Sequence, residues 1–454
     1  MGKNILGLNE MTIYALSSGP GISGVAVIRV SGKDTAKVIK TLTGNSRLPR
    51  PRVASLQKFN KNGQKNLIDE GVIIWFPAPN SYTGEDLAEF HVHGSRAVVN
   101  AMHLAISKIK NCRLAEPGEF TKKAFQNGKI NLLKAESIGD LISSETEIQR
   151  KQALKIMSGH SSDKFNSWRK KLLKILSHIE AKIDFPDEDL PKNIIREIQK
   201  ISNNVLKEIK KALNDQKVGE RIRSGFKIAI IGPPNSGKSS LLNYLSKRDV
   251  AIVSETAGTT RDVIETHLNL DGYPVVVSDT AGIRNSKNEI EKKGIKIALS
   301  HAQDADLRLV IVSTRNADFT GVLKGFLTKN AILVINKSDL LRGKLDSKFK
   351  KYEHVLISIK KDLNLNKLIT KIKSKLKNKF TTNEDILITR ERHRQNLINC
   401  VHHLEKFQTK KSNQDFDKSA EDLRLATRHL GMIVGKVDVE ELLGSIFNDF
   451  CIGK

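Results

Sequence analysis

Hydrophobic positions change their spacing three times along the chain, and each change predicts a different kind of element. Up to about residue 125 the apolar runs are short: Val25-Ala26-Val27-Ile28-Arg29-Val30 and Val72-Ile73-Ile74-Trp75-Phe76. Gly19-Pro20-Gly21 and Pro77-Ala78-Pro79-Asn80 punctuate them. β-branched and aromatic runs bounded by turn residues predict strands, and this segment an α+β domain. From about 126 to 223 apolar residues recur at steps of three and four, through Leu172, Ile175, Leu176 and Ile179. That is the period of a helix with one buried face. Pro186, within Asp184-Phe185-Pro186-Asp187, predicts a break, because proline cannot continue the hydrogen-bond ladder. Helix resumes through Ile194, Ile195, Ile198 and Ile201.

From Phe226 to about 380, apolar strands at 228–231, 275–277, 309–312 and 332–335 alternate with helical stretches. This predicts a mainly parallel sheet with βαβ crossovers. The remainder is helical, with Gly431 and Gly435 as expected breaks. The fold class expected is multidomain α/β plus α, in four segments. These are an N-terminal α+β domain (1–125), a first helical part (126–223), an inserted α/β domain (224–380) and a second helical part (381–454).

Composition narrows the class. The 454 residues suggest roughly three domains of about 150. Charged residues at 28% and hydrophobic ones at 39% fit a folded chain rather than a disordered one. The formal charge of +26 suits an anionic partner (RNA, DNA or an acidic membrane surface) and equally a lysine-rich solvated surface. No apolar run approaches the roughly 18 to 20 residues of a membrane span. The start, MGKNILGLNEM, has no signal-peptide core. Leu6 stands where a myristoylation motif needs Ser or Thr. The cysteines Cys112, Cys400 and Cys451 have no pairing or zinc-type spacing, so the reducing cytosol is the expected location.

The strongest chemical signal is Gly232-Pro233-Pro234-Asn235-Ser236-Gly237-Lys238-Ser239, a phosphate-binding loop between a predicted strand and a predicted helix at 240–245. Its glycines let backbone N–H groups wrap phosphates, and the helix N-terminus adds positive potential. Lys238 reaches β- and γ-phosphates, and Ser239 ligates Mg²⁺. Thr259-Thr260-Arg261-Asp262 offers a second hydroxyl to Mg²⁺. Asp279-Thr280-Ala281-Gly282 supplies an acid that holds Mg²⁺ through water and an N–H for the γ-phosphate. Asn336-Lys337-Ser338-Asp339 completes the order. The Asp339 carboxylate can accept guanine N1–H and the 2-amino group together, a pattern adenine cannot match, so GTP is the expected nucleotide. Ser358-Ile359-Lys360 stands where Ser-Ala-Lys is usual. Ile283 follows the Asp-Thr-Ala-Gly motif where Ras-like GTPases carry a water-orienting Gln, so an acid downstream, Glu289 or Glu291, must serve. Arg261 and Arg284 are nearby, but neither is clearly placed as an arginine finger. The neutral Asn235 oxygen suits a monovalent cation in that role.

Beyond these motifs stand Val27-Ile28-Arg29-Val30-Ser31-Gly32, Tyr82-Thr83-Gly84-Glu85-Asp86, Pro117-Gly118-Glu119-Phe120-Thr121, Ile179-Glu180-Ala181-Lys182-Ile183-Asp184-Phe185-Pro186 and the terminal Phe450-Cys451-Ile452-Gly453-Lys454. Together they resemble the MnmE (TrmE) family of tRNA-modification GTPases over essentially the whole chain. The resemblance implies an N-terminal folate-binding fold, similar to glycine-cleavage T proteins, that also mediates homodimerisation. It further implies a Ras-like P-loop domain, activated by potassium, that dimerises across its nucleotide face. By position, Asn235, Ser254, Thr256 and Thr259 match the K⁺ shell, and Ser239 and Thr260 the Mg²⁺ ligands. Glu291 matches the water-orienting acid, with Lys238 as its catalytic companion. The implied GTP contacts comprise Asn235, Ser236, Gly237, Lys238, Ser239, Ser240, Ser254-Glu255-Thr256-Ala257-Gly258-Thr259-Thr260, Asp279-Thr280-Ala281-Gly282, Asn336-Lys337-Ser338-Asp339 and Ser358-Ile359-Lys360. Arg29, Glu89, Lys129 and Lys454 match the positions for 5-formyl- or methylene-tetrahydrofolate. The implied partners are tRNA and an FAD-dependent flavoprotein of the MnmG (GidA) family in a heterotetramer.

The chain departs from the family pattern at Ser18-Gly19-Pro20-Gly21, His93-Gly94-Ser95 and Lys182, all outside the chemistry-bearing motifs. The implied activity is GTP hydrolysis driving carboxymethylaminomethyl- or aminomethyl-type modification at C5 of the wobble uridine, with a folate one-carbon unit. The competing reading is an RNA-binding GTPase switch of ribosome assembly, which needs neither the N-terminal domain nor the terminal motif. A membrane-surface GTPase lacks an amphipathic anchor. Cys451 fits a prenylation signal badly and is read either as a nucleophile or as a small residue in a tight site. The lysines at 360–379, eight against the single acid Asp362, read as the solvated face of a helix burying Ile369, Ile372 and Leu376. His91 and His93 have no metal-ligand company and read as turn packing.

Overall fold

The computed structural model describes residues 11–61, 66–185, 192–248, 265–279, 302–314, 322–341, 345, 347–349, 351–380, 386–409, 416–437, 443, 446–447 and 450–453. The chain divides into two compact units. One comprises residues 1–139, 157–169 and 427–454, the other 140–156 and 170–426.

The first unit is built on a six-stranded sheet of β1 (Thr12–Leu16), β2 (Ser23–Ser31), β3 (Ser55–Asn60), β4 (Leu67–Phe76), β5 (Leu87–Gly94) and β6 (Cys112–Leu114). Their spatial order is β3-β4-β5-β2-β1-β6, antiparallel except for the β1–β6 pair. Strand side chains alternate between faces. Ala26, Ile28 and Val30 of β2 therefore share one buried face with Phe90 and Val92 of β5. The helices α1 (Thr35–Thr43) and α2 (Arg96–Ser107) cover that face with Val38, Ile39, Leu42, Met102 and Ile106. Burying each such side chain contributes about 1.5–3 kcal/mol. Arg29 and Glu89 fall on the opposite face, directly across from each other in the β2–β5 register.

On that opposite side Ile13 and Ala15 pack with Ala115 and Phe120, the latter on α3 (Glu119–Gln126). α4 (Leu132–Ile142) buries Leu132 and Ala135 against Leu443, Ile446, Phe447 and Phe450. The end of the chain thus completes the unit that its beginning starts. Gly118 (φ +66°) has no room for a side chain there, since a Cβ would lie 2.7 Å from the Phe447 carbonyl oxygen.

Past α5 (Glu147–Met157) run the long helices α6 (His160–Asp184) and α7 (Lys192–Leu213) and the short α8 (Val218–Ser224). α6 ends just before Pro186, as the ring chemistry of proline requires. The second sheet then follows: β7 (Phe226–Ile231), β8 (Glu265–Leu270), β9 (Tyr273–Asp279), β10 (Leu307–Ser313), β11 (Ala331–Asn336) and β12 (His354–Leu356). Its order is β12-β11-β10-β7-β9-β8, parallel throughout except for the β8–β9 hairpin. β11 is buried at all six positions, as expected of a parallel strand covered on both faces. The helices α9 (Lys238–Arg248) and α10 (Leu365–Phe380) pack on this sheet. α10 buries Ile369, Ile372 and Leu376, while Lys367 and Lys377 are exposed and Lys371, Lys373 and Lys375 half-exposed. Lys371 and Lys375 pair with Glu353, and Lys373 with Asp271.

The chain closes with α11 (Glu391–Thr409) and α12 (Phe416–Val434). Three sequence expectations are corrected. α9 begins at Lys238 rather than at 240. Gly431 is no break but lies inside α12, where a Cβ would come within 2.7 Å of Val437. The helix stops at Gly435, whose φ of +79° suits glycine. His91 and His93 stand on strand β5, not in a turn; His93 Nδ1 lies 2.8 Å from Asp69 Oδ1.

Arg394 was not singled out by the sequence pattern, yet it organises the second unit. Only 6% exposed, it donates to both Glu220 carboxylate oxygens at 2.7 Å and to Asp215 at 2.7 Å, tying α11 to α8. Burial alone would lower its pKa; the two carboxylates outweigh this and raise it.

Candidate functional site

β7 carries its backbone straight into the phosphate-binding loop, and two glycines there are dictated by sterics. A Cβ on Gly232 would collide with the Ile311 carbonyl of the neighbouring β10, and one on Gly237 (φ +105°) with the Asn336 side-chain amide. Asn235 itself takes a left-handed φ of +59°, which asparagine tolerates better than most residues. Ser236 is 1% exposed, and its hydroxyl makes no hydrogen bond among the described residues. Lys238 folds back over the loop, its ammonium donating to the Gly232 carbonyl at 2.9 Å and the Pro233 carbonyl at 3.0 Å. Ser239 and Ser240 open the first turn of α9 and are exposed. A helix N-terminus with this loop before it is an anion site by construction.

Asn336, the last residue of β11, joins three loops. Its side-chain amide donates to the Ser236 carbonyl at 2.8 Å, and its side-chain oxygen accepts the Ile359 N–H at 3.3 Å. Lys337 (φ +62°) reaches the Asn235 carbonyl at 2.9 Å, while Thr314 Oγ1 donates to the Lys337 carbonyl. The Ser338 N–H donates to Ile357, leaving Asp339 exposed at the rim. Ser358 is buried beside Ile359 and accepts the Lys361 N–H, and Lys360 is exposed. The phosphate loop and both expected base-recognition segments therefore form one constellation. Thr314 is the addition that motif reading missed; its hydroxyl carries no recognisable spacing.

Asp279 ends β9 opposite Ile230, one strand over from the phosphate loop. Ser254, Glu255, Thr256, Ala257, Gly258, Thr259, Thr260, Thr280, Ala281, Gly282, Glu289, Glu291 and Lys454 lie outside the described residues, as do Arg261 and Arg284. No group of three or more metal-ligating His, Cys, Asp or Glu side chains occurs among the described residues. No helix among them is long and apolar enough to cross a membrane.

A second constellation lies in the first unit. Arg29 donates from Nε and Nη2 to Glu89 Oε1 at 3.1 and 2.9 Å, the cross-strand pair set by the sheet's alternation. Its guanidinium carbon sits 5.6 Å from the Tyr82 ring centre and 5.7 Å from that of Phe120. Burial pushes the Tyr82 phenol pKa up, and its hydroxyl is 2.8 Å from Thr121 Oγ1. The loop bearing Tyr82 is fixed from below. Lys123 donates to both Glu85 oxygens at 3.0 and 2.9 Å, and Ser31 donates to the same carboxylate.

The C-terminal tail docks here. The Ser17 hydroxyl donates to the Gly453 carbonyl at 2.8 Å, and Arg29 Nη1 reaches the same oxygen at 3.5 Å. Pro117 and Ile452 form a β-bridge. Gly453 (φ +95°) presses on the Leu16 carbonyl so closely that no Cβ fits. Cys451 is left exposed, whereas Cys112 and Cys400 are buried. Burial raises the Cys112 thiol to about 11. Lys129 is not drawn into this group: its stem passes Gly84, and no hydrogen bond or ion pair joins it to Arg29 or Glu89 among the described residues. Tyr82 and Phe120 lie within the Tyr82–Asp86 and Pro117–Thr121 motifs, whose spacing alone gives them no role. Ser17 carried no signal.

Residues 12–129 match the profile described as GTP-binding protein TrmE N-terminus, and residues 132–451 that of the MnmE helical domain. A tRNA modification GTPase MnmE from Pelagibacter ubique (strain HTCC1062) is 73% identical over 444 residues, covering 98% of this chain and all of the relative. One from Rickettsia bellii (strain RML369-C) is 44% identical over 447 residues with the same coverage. Among solved structures, the G domain of the T. maritima FeoB iron transporter covers 33% of this chain and 98% of its own at 25% identity, with a TM-score of 0.27. On the two profile matches and the full-length identities, this chain belongs to the tRNA modification GTPase MnmE family.

Proposed function

We propose that the chain is a potassium-activated GTPase whose cycle drives C5 modification of the wobble uridine of tRNAs, of carboxymethylaminomethyl or aminomethyl type, together with a flavoprotein of the MnmG family. The observation that carries the nucleotide half is Asn336, which binds the phosphate loop and both base-recognition segments into one rigid edge. The exposed Asp339 carboxylate accepts guanine N1–H and the 2-amino group. Lys238 exchanges the Gly232 and Pro233 carbonyls for phosphate oxygens. Ser239 and Thr260 hold Mg²⁺, and Asn235, Ser254, Thr256 and Thr259 hold K⁺. Glu291 orients the attacking water. Held by these residues, the two cations would supply positive charge where negative charge grows between the β- and γ-phosphates.

The residues around Arg29 and Glu89 suit a reduced folate: a carboxylate for a pterin edge, a guanidinium beside two aromatic rings, and a docked C-terminus closing the side. A bound folate supplies the one-carbon unit. We assign residues 1–125 to this folate and dimerisation domain, 224–380 to the GTPase domain, and 126–223 with 381–454 to the split helical domain, in a homodimer working in the cytosol. The test is the GTPase rate of the full chain in potassium against sodium. A large excess in potassium is expected; equal rates would sink the cation assignment.

A further inference from the structure

The first unit carries its positive charge unevenly. No Asp or Glu occurs between Asp34 and Asp69, where the chain's own frequency of 50 acids in 454 residues predicts about four. Lys40, Arg47, Arg50, Arg52, Lys58 and Lys61 fall in that stretch, and all are exposed. Arg52 donates to the Asn80 carbonyl at 2.6 Å; the others make no side-chain hydrogen bond or ion pair among the described residues. The lysines of α10 differ, since Glu353 and Asp271 pair with three of them. A lysine on an edge strand such as β3 guards against pairing with another chain, which accounts for Lys58. It does not account for Arg47 and Arg50, which stand on the loop between α1 and β3.

That loop is pinned at both ends. Pro51 bridges to Trp75 of β4, and the Arg52 N–H donates to the Trp75 carbonyl at 2.8 Å. Asn45 Nδ2 donates to Gln57 Oε1 at 2.9 Å. Pro49 and Pro51 lock their own φ as well. The loop walls a groove of about 340 Å³, bordered by Asn45, Arg47, Leu48, Pro49 and Gln57. Gln57 Nε2 and Asn45 Oδ1, on the two linked amides, have no partner among the described residues. The groove thus combines an apolar wall, a spare donor and a spare acceptor, with a guanidinium on its rim and another three residues on.

We propose that this edge of the N-terminal sheet is a tRNA-binding surface. Arg47 and Arg50 hold neighbouring phosphates, and the groove takes one unpaired base against Leu48 and Pro49, its polar edge on Asn45 and Gln57. Unpaired guanidiniums suit phosphate oxygens, which accept their N–H groups two at a time. A base outside a duplex can offer its edge and its flat face together, as an RNA loop allows. The groove falls within the roughly 300–1,000 Å³ of sites that enclose small ligands. This inference rests on the tRNA reading above and gives part of the tRNA contact to this chain, at residues separate from those around Arg29. No bond is made or broken; the role is to hold the substrate.

The experiment is fluorescence-anisotropy titration of the full chain with a labelled tRNA transcript at several salt concentrations. Wild-type affinity should fall steeply with salt. The double variant Arg47→Gln, Arg50→Gln should bind about 10-fold more weakly at low salt and flatten the log–log salt slope by about 1 to 2. Gln57→Leu should bind about 5-fold more weakly with the slope unchanged, a split that diffuse charge does not produce. Lys108→Gln with Lys110→Gln removes the same charge next to β6, at the other edge of the sheet, and should cost less than about 2-fold. Thermal melts check that each variant is folded. An equal loss in the Lys108 and Lys110 variant overturns the inference, as does displacement of tRNA by polyglutamate as readily as by unlabelled tRNA. A wild type that binds no tRNA also overturns it, yet the proposed function survives that result if wobble-uridine modification still requires the chain. Binding at this edge in a chain whose loss leaves wobble uridines modified upholds the surface and overturns the proposed function instead.

Discussion

The side-chain amide of Asn336 donates to the Ser236 carbonyl at 2.8 Å across a separation of 100 residues. This bond couples the phosphate loop to the end of β11, and the backbone of Gly237 must lie against it. Asn336→Ala leaves the buried loop without this brace and frees the Ile359 N–H. Nucleotide affinity, measured with a fluorescent GTP analogue, should fall by about 10-fold or more. Gly237→Ala should act the same way, because its Cβ would take the space of the Asn336 amide. Wild-type affinity in both would show that the brace does not shape the site.

In the function proposed above, base choice rests on one exposed carboxylate, Asp339. Asp339→Asn replaces an acceptor by a side chain that can donate. GTP affinity should drop by about 2–3 kcal/mol, and affinity for XTP, which carries a 2-oxo group in place of the amine, should rise. Competition binding with the two nucleotides gives the answer. An unchanged order of preference would place guanine recognition elsewhere.

The tail is held by contacts that tolerate no side chain at one point. Gly453 adopts φ +95° against the Leu16 carbonyl, and its own carbonyl takes the Ser17 hydroxyl. Gly453→Ala should expel the last residues from their seat against Leu16 and Ser17, and Ser17→Ala should loosen them. Digestion by carboxypeptidase reports this directly: release of the terminal residues should accelerate strongly in the first variant and modestly in the second. Equal rates in all three proteins would contradict the docked tail.

Arg394 is a structural matter. Arg394→Met fills much of the same volume but leaves the Asp215 and Glu220 carboxylates facing each other without a cation. Breaking such a partly buried group costs about 3 kcal/mol. Urea unfolding followed in the second unit should show that loss. A midpoint within error of wild type would mean that water replaces the guanidinium freely.

Much of this architecture is legible in the residue order, for physical reasons. The continuous apolar runs at 228–231, 309–312 and 332–335 became β7, β10 and β11 because a parallel strand covered on both faces needs apolar side chains throughout. The phosphate loop was legible because its glycines answer to steric constraints that no other residue meets. β12 has three residues, and β8, ETHLNL, is a polar-alternating edge strand; both fall below what a run of apolar residues reveals. Gly431 misled because glycine punctuates helices as often as it makes room for a neighbour, and the neighbour, Val437, is known only from the packing. Arg394 stayed hidden because an arginine within a helical period reads as solvent-facing until its two carboxylates are brought in from Asp215 and Glu220. At the candidate site, the Arg29–Glu89 pairing follows from strand alternation once the register is known, but Ser17 has no spacing to announce it.

In the function proposed above, GTP turnover on this chain serves the modification of wobble uridines. The most direct measurement is mass spectrometry of wobble uridines in tRNA from cells lacking the chain, complemented with wild type or with Glu291→Ala. Wild type should restore the C5-modified nucleosides, while Glu291→Ala, binding GTP but not hydrolysing it, should leave them unmodified. Unaltered wobble nucleosides in the cells lacking the chain would contradict the account and favour a GTPase switch of ribosome assembly.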